Sequence, residues 1–406
     1  MQWTRCSDDM DMVREEIMKH TSKRNSFAIG VLVFFITLLC FLPGTQAQGA
    51  TVAKVGSKRY SSFEKAFNAV GRRGTITLLK NTTLNEQLSL KNNKQITIDL
   101  NKHTLATKKN GGFSIENGTV LIKNGTLKDK QKSTYNLLSI YKKGVVTLRN
   151  VNYYGEIQIG RFYYARKNGS LTIDGGTFKP SVTDGFMISN FGKLTIKKGT
   201  FLNQNTGNKH GMMRTFGTCT IDGGTFKSNV DNSCIIISGE VDGHKAKTTI
   251  NGGTFESLSE SQNSIYCGIV LHECKLTIAG GKVRTGVHIQ GGALTMSGGS
   301  ITNTGRAVWV DTMWGGDVGS FTMKGGSVET KGTVEAIYGD NIKITGGTVT
   351  GGGDSYGDYF ITYYPVINTS SKTTVKVSGN AILKNRGSSD PIGEQTTKPR
   401  TDKKTQ

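Results

Sequence analysis

Between Tyr135 and Lys167 six tyrosines (Tyr135, Tyr141, Tyr153, Tyr154, Tyr163, Tyr164) alternate with six bases (Lys142, Lys143, Arg149, Arg161, Arg166, Lys167). Aromatic faces stack on sugar rings, and Lys and Arg pair with carboxylates, sulfates or phosphates. The stretch therefore offers candidate contacts for an acidic glycan: Tyr141, Lys142, Lys143, Arg149, Tyr153, Tyr154, Arg161, Tyr163, Arg166 and Lys167. A second reading stands beside it, in which several tyrosines point inward and the charges only solubilise the surface. The surroundings are strongly basic, with 23 basic and 7 acidic residues from 50 to 180, against 18 and 15 from 181 to 385. Such a field draws polyanions and is screened by salt, while saying nothing about the fold. The expected partner is an acidic polysaccharide or a cell-wall polyanion, with no specific nucleic-acid recognition, and a monomer is expected.

Other chemistries are poorly supplied. The six histidines are scattered, and the segment after Gln48 has no Asp-Asp pair for general acid and base work. A calcium cage needs clustered carboxylates, which the basic half lacks. Neither a metal nor a cofactor is expected. The cysteines beyond the N-terminal segment are Cys219, Cys234, Cys267 and Cys274, and no CxxC pair suggests zinc. Cys234 and Cys267 hold the same place in two similar stretches, CIII and CGIV. If those stretches stack, the two residues are neighbours about 4.8 Å apart, and a disulfide is permitted. Four buried thiols are the alternative.

Stacking is what the rest of the chain predicts. A strand-turn unit recurs twelve times, as LTIDGGTF (171–178), LTIKKGTF (194–201), CTIDGGTF (219–226) and LTMSGGSI (294–301) show. Alternation of apolar and polar residues marks a strand with one buried face, and the Gly pair makes a corner. A Gly two residues before many units, and a short apolar stretch before that Gly, complete a coil without helices. The chain is predicted to be all-β, a single-stranded right-handed parallel β-helix of about twelve coils over 51–385. Its inward column is expected to run through Ile98, Ile122, Leu148, Ile173, Ile196, Ile221, Ile250, Ile278, Met296, Met323, Ile344 and Val377. Ser61-Ser62-Phe63-Glu64 reads as a capping box opening a helix over 62–70, which would cover the N-terminal coil. Residues 386–406 are polar and read as an unfolded tail or linker.

The N-terminal segment reads as an address. Residues 27–42 form an uncharged run, short for a membrane span, preceded by Lys19, Lys23 and Arg24 and followed by Pro43-Gly44 and Thr45-Gln46-Ala47. A signal peptide over 18–47 is expected, with a secreted or cell-surface product and no membrane span after its removal. Arg14-Glu15-Glu16 can be encoded as a purine-rich ribosome-binding sequence. Translation is therefore expected to start at Met18, leaving 1–17 untranslated or as an extended n-region.

The opening from Ala53 to Leu105, with RRGTITLLKN and QITIDLNKHTL, and the GGTF repeats after it resemble the right-handed, pectate-lyase-like β-helix superfamily, in particular bacterial surface and adhesin-type members. That resemblance implies a β-helix and either non-catalytic surface binding or, as the alternative, a lyase or hydrolase acting on an acidic polysaccharide. Ala307-Val308-Trp309-Val310-Asp311 is similar to a motif of the pectate lyases, but Thr312 stands where they carry His, and their arginine-bearing companion motif is absent. The expectation is a non-catalytic binding protein.

Overall fold

The computed structural model describes residues 51–399, apart from 109, 130–135, 162–168, 181–184, 205–210, 231–233, 242, 258–267, 313–317, 357–359 and 370–373. Contacts divide the chain after Ala50, and every described residue belongs to the second unit.

That unit is an all-β parallel β-solenoid of about 11 turns, with a single helix among the described residues. Each turn supplies up to three short strands, which from Arg73 onward pair in parallel with their counterparts in the neighbouring turns, while Ala53–Val55 caps the stack antiparallel to Arg73–Leu78. The first face holds the repeat strands, for example Lys193–Asn203 beside Thr218–Ile221, with Leu194 opposite Cys219 and Ile196 opposite Ile221. The second face follows the Gly corner, with Thr225–Ser228 beside Thr254–Ser257 and Phe226 opposite Phe255. The third comes from the short apolar stretches: Ile188–Asn190, Met213–Thr215 and Ile236–Ser238 pair in succession.

The sequence folds this way because alternation places every second side chain inside. The expected column from Ile98 to Ile344 is buried throughout. The second face adds a ring ladder of Tyr153, Phe178, Phe201, Phe226 and Phe255, with centroids 5.9, 4.8, 4.5 and 4.6 Å apart. The corner needs glycine. Gly176 sits at φ +107°, and a Cβ there would lie 1.9 Å from the Val151 carbonyl oxygen of the turn before.

Three expectations need correction. Val377 does not continue the inward column: it is 36% exposed, in the strand Val375–Asn385, which among the described residues pairs only with Ile342–Gly351. Among the described residues no strand stacks on its far side, so an inward-type residue there has nothing to be buried against. Of the segment expected to be an unfolded tail, the described residues 386–399 carry paired strands. Ile392–Gly393 extends the third face, and Thr396–Pro399 joins an antiparallel sheet with Gly353–Tyr356 and Phe360–Tyr364. Arg386 anchors its start, donating to Thr330 O at 2.6 Å and bridging Glu329 at 2.7 Å.

At the other end the helix spans Phe63–Ala69 and buries Phe63, Ala66 and Phe67, with the Phe63 ring edge-on to Phe113 at 6.1 Å. Its cap is Ser62, which accepts from Lys65 N at 3.2 Å, so the capping box expected from Ser61 does not form. Glu64 is used elsewhere and accepts from Asn85 N at 3.2 Å. Among the described residues no helix is long and apolar enough to cross a membrane.

Cys219 is fully buried in an inner row between Leu194 and Thr248, and burial pushes its thiol up to about 12. Cys274 is also buried and shifted upward by burial. Cys267 lies outside the described residues, and with it the expected neighbour of Cys234. The native protein at pH 8 is expected to leave Cys219 unlabelled by iodoacetamide, with labelling appearing on denaturation; mass mapping checks this. A thiol pKa raised in the fold stabilises the protein below its unfolded value near 9, and that contribution falls as pH rises from there towards 12.

Candidate functional site

The solenoid distributes the predicted binding residues over different faces, because consecutive residues in one turn pass around all three. Arg149 lies at the corner between first and second faces, in a ladder of alternating charge: its Nε is 3.3 Å from Asp174, which also meets Lys198 at 3.6 Å, while Lys123 meets Asp99 at 3.2 Å. Tyr154 is on the second face with Lys128 Nζ 5.9 Å from its ring centre. Tyr153 is a correction. It belongs to the ring ladder, is completely buried, and its hydroxyl donates to Glu156 O at 2.9 Å, so it has no face to offer a ligand. Tyr163, Arg166 and Lys167 lie outside the described residues.

Tyr141, Lys142, Lys143 and Arg161 do come together, at the corner leaving the third face. The Arg161 guanidinium lies over the Tyr141 ring, 4.6 Å from its centre. Lys142 reaches Glu116 at 2.7 Å, and Lys91 reaches the same carboxylate at 3.5 Å. Their hydrogen bonds and charges, Lys142's bond foremost, hold the Glu116 carboxyl below its ordinary range. Lys143 is exposed.

The residue that sequence reasoning missed is Arg214. It occupies the outward row of the third face, in register with Ser139, Gln158 and Ser189 of the preceding turns. Its guanidinium centre is 5.0 Å from the Phe186 ring and 5.7 Å from Phe191, and its Nε donates to Ser189 Oγ at 2.9 Å. Neither Nη nitrogen has an acceptor among the described residues. Arg214 lines a cleft of about 330 Å³ with Asn136, Glu156, Gln158, Gly185, Phe186 and Ser189. Burial lowers the Arg214 pKa, and Glu156 acts against that shift. Arginine stays protonated under such a perturbation. A planar fork placed near two aromatic rings and steadied through its Nε is suited to two parallel bonds to a carboxylate or sulfate. The signal in the sequence was a lone charge inside the short apolar stretch Met212-Met213-Arg214.

The Arg214 cleft and the Tyr141 corner share one face. Next to the Arg214 row runs another, in which Phe191 and Phe216 stack at 5.2 Å and 14°. Among the described residues no group of three or more His, Cys, Asp or Glu side chains converges as a metal site. The fragment Ala307 to Asp311 also falls on this face, in the strand Val308–Asp311.

The architecture is a parallel β-solenoid, and two clefts that set an arginine against aromatic rings open on its third face. No protein-family model, curated protein or solved structure matches the chain.

Proposed function

We propose that this is an exported, non-catalytic β-helix protein of the pectate-lyase-like kind that binds acidic glycans or related polyanions at the cell surface or in the medium. The observation that carries the reading is the pair of arginines set against aromatic rings on the third face, Arg161 over Tyr141 and Arg214 near Phe186 and Phe191. An aromatic surface beside a fixed guanidinium complements a sugar ring that bears a carboxylate or sulfate. The net +16 from 50 to 180 supports it by supplying the long-range attraction. Export is supported by the apolar run 27–42 with its basic flank.

The test is retention on heparin resin. The triple variant Lys142→Glu, Lys143→Glu, Arg161→Glu should elute at much lower salt than the parent, since the screening length is only about 8 Å at physiological ionic strength. Unchanged retention would remove this corner from the binding surface. Arg214 is tested for geometry rather than charge. Arg214→Lys keeps the positive charge and loses the fork, so affinity for a galacturonate hexasaccharide should drop about tenfold or more by titration calorimetry. Equal affinity would show that Arg214 only braces its aromatic neighbours.

A further inference from the structure

The third face carries a second cleft near the C-terminal end, with a different chemistry. Its outward row passes through His288, Trp309 and Tyr338. His288 and Trp309 stack at 4.6 Å and 20°, and Tyr338 meets Trp309 edge-on at 6.0 Å. The Arg306 guanidinium lies 4.2 Å from the Tyr338 ring centre and 5.2 Å from that of Trp309. Its Nε donates to Glu335, a carboxylate only 2% exposed, so its charge is compensated within the wall.

Two residues beyond Trp309 and Tyr338 in their respective turns come Asp311 and Asp340. The Asp311 carboxylate is 41% exposed, with His288 Nε2 at 3.8 Å. Asp340 accepts from the hydroxyls of Thr369 and Thr374, and so stands fixed. With Tyr338, Asn368, Glu394 and Gln395 these carboxylates line a cleft of about 680 Å³.

We propose that this cleft is a second glycan site, one that takes uncharged sugar rings. The aromatic edge of Tyr338, 36% exposed, offers apolar contact to the C–H face of a ring. Asp311, Asp340 and Glu394 accept hydrogen bonds from sugar hydroxyls, and Asn368 and Gln395 can both donate and accept. Three carboxylates beside a compensated arginine repel an acidic sugar. A cationic ligand is disfavoured for a different reason: Arg306 already occupies the aromatic surface and shares the cleft. The size suits a short saccharide, within the usual range of about 300–1,000 Å³ for ligand pockets. From Arg214 to Tyr338 the outward row advances five turns, about 24 Å at the strand spacing. The inference does not rest on the polyanion reading, because the two clefts share no lining residue.

The experiment titrates the full chain with neutral hexasaccharides of glucose, xylose, mannose and N-acetylglucosamine, following binding by calorimetry. Galacturonate and glucosamine hexamers serve as acidic and cationic arms. At least one neutral hexamer should bind, and Tyr338→Ala and Asp311→Asn should each weaken it about tenfold, one lost charge-assisted bond or ring contact being worth that much. Retention on heparin should be the same for both variants as for the parent. Asp311→Asn is nearly isosteric at an exposed position, so it keeps the test open should Tyr338→Ala disturb folding; circular dichroism reports on both. The proposal fails if no neutral hexamer binds at millimolar concentration, if neutral binding survives both substitutions, or if a charged hexamer is preferred at this cleft.

Discussion

Phe226→Ala is expected to destabilise the solenoid by about 3–5 kcal/mol, the range for truncating a fully enclosed phenylalanine. The ring lies between Phe201 at 4.5 Å and Phe255 at 4.6 Å, nearly parallel to both at 5°. Its removal forfeits two stacking contacts as well as its own burial. The two neighbours are held by their own turns and close the gap only in part. In a stack where each turn touches only the next, the loss falls on a single junction. Urea unfolding should therefore become broader, or split into two steps, as the halves on either side of Phe226 uncouple. A sharp transition with the parent midpoint would show that the ladder adds little.

Gly176→Ala should be comparably damaging, by at least about 3 kcal/mol, for a backbone reason. A φ of +107° is a conformation L side chains avoid, and the new Cβ would overlap the Val151 carbonyl oxygen at 1.9 Å. That neighbour is backbone and cannot swing aside. Relief requires opening the corner between the first and second faces, which pulls the Phe178 ring away from Phe201. Thermal melting followed by circular dichroism checks the size of the loss. Gly56 is the contrast: its φ is +58° and no atom lies within 4 Å of an added Cβ, so Gly56→Ala carries only the local backbone cost.

The interior was readable because it repeats. Ile173, Ile196, Ile221 and Ile250 occupy one place in successive units, and the structure puts them in one buried row. Val377 occupies that place too, yet is exposed, since a repeat pattern does not say which strand has a described neighbour on both sides. The binding residues were harder to read because a turn of the solenoid separates neighbours in sequence and joins residues about twenty apart. Arg149, Tyr153 and Tyr154 sit close together in the chain, and the fold sends them to a corner, the core and the second face. Tyr141 and Arg161 are far apart in the chain, and the fold stacks them. Arg214 and Tyr338 stood in the short third-face stretches, which vary too much in sequence and in loop length to align by eye.

The parallel register along the third face has a consequence for how such a molecule could be lengthened. Each turn hydrogen-bonds to the one before and the one after, and the rows stay in phase from Met213 through Ile236, Ile269, Val287 and Val308. Adding one whole turn between those of Arg214 and His288 keeps His288 under Trp309 and shifts the separation of the two clefts by about 4.8 Å. The stack is thus a graduated scale, on which gene-level duplication of a single unit moves one reading head relative to the other by one fixed increment.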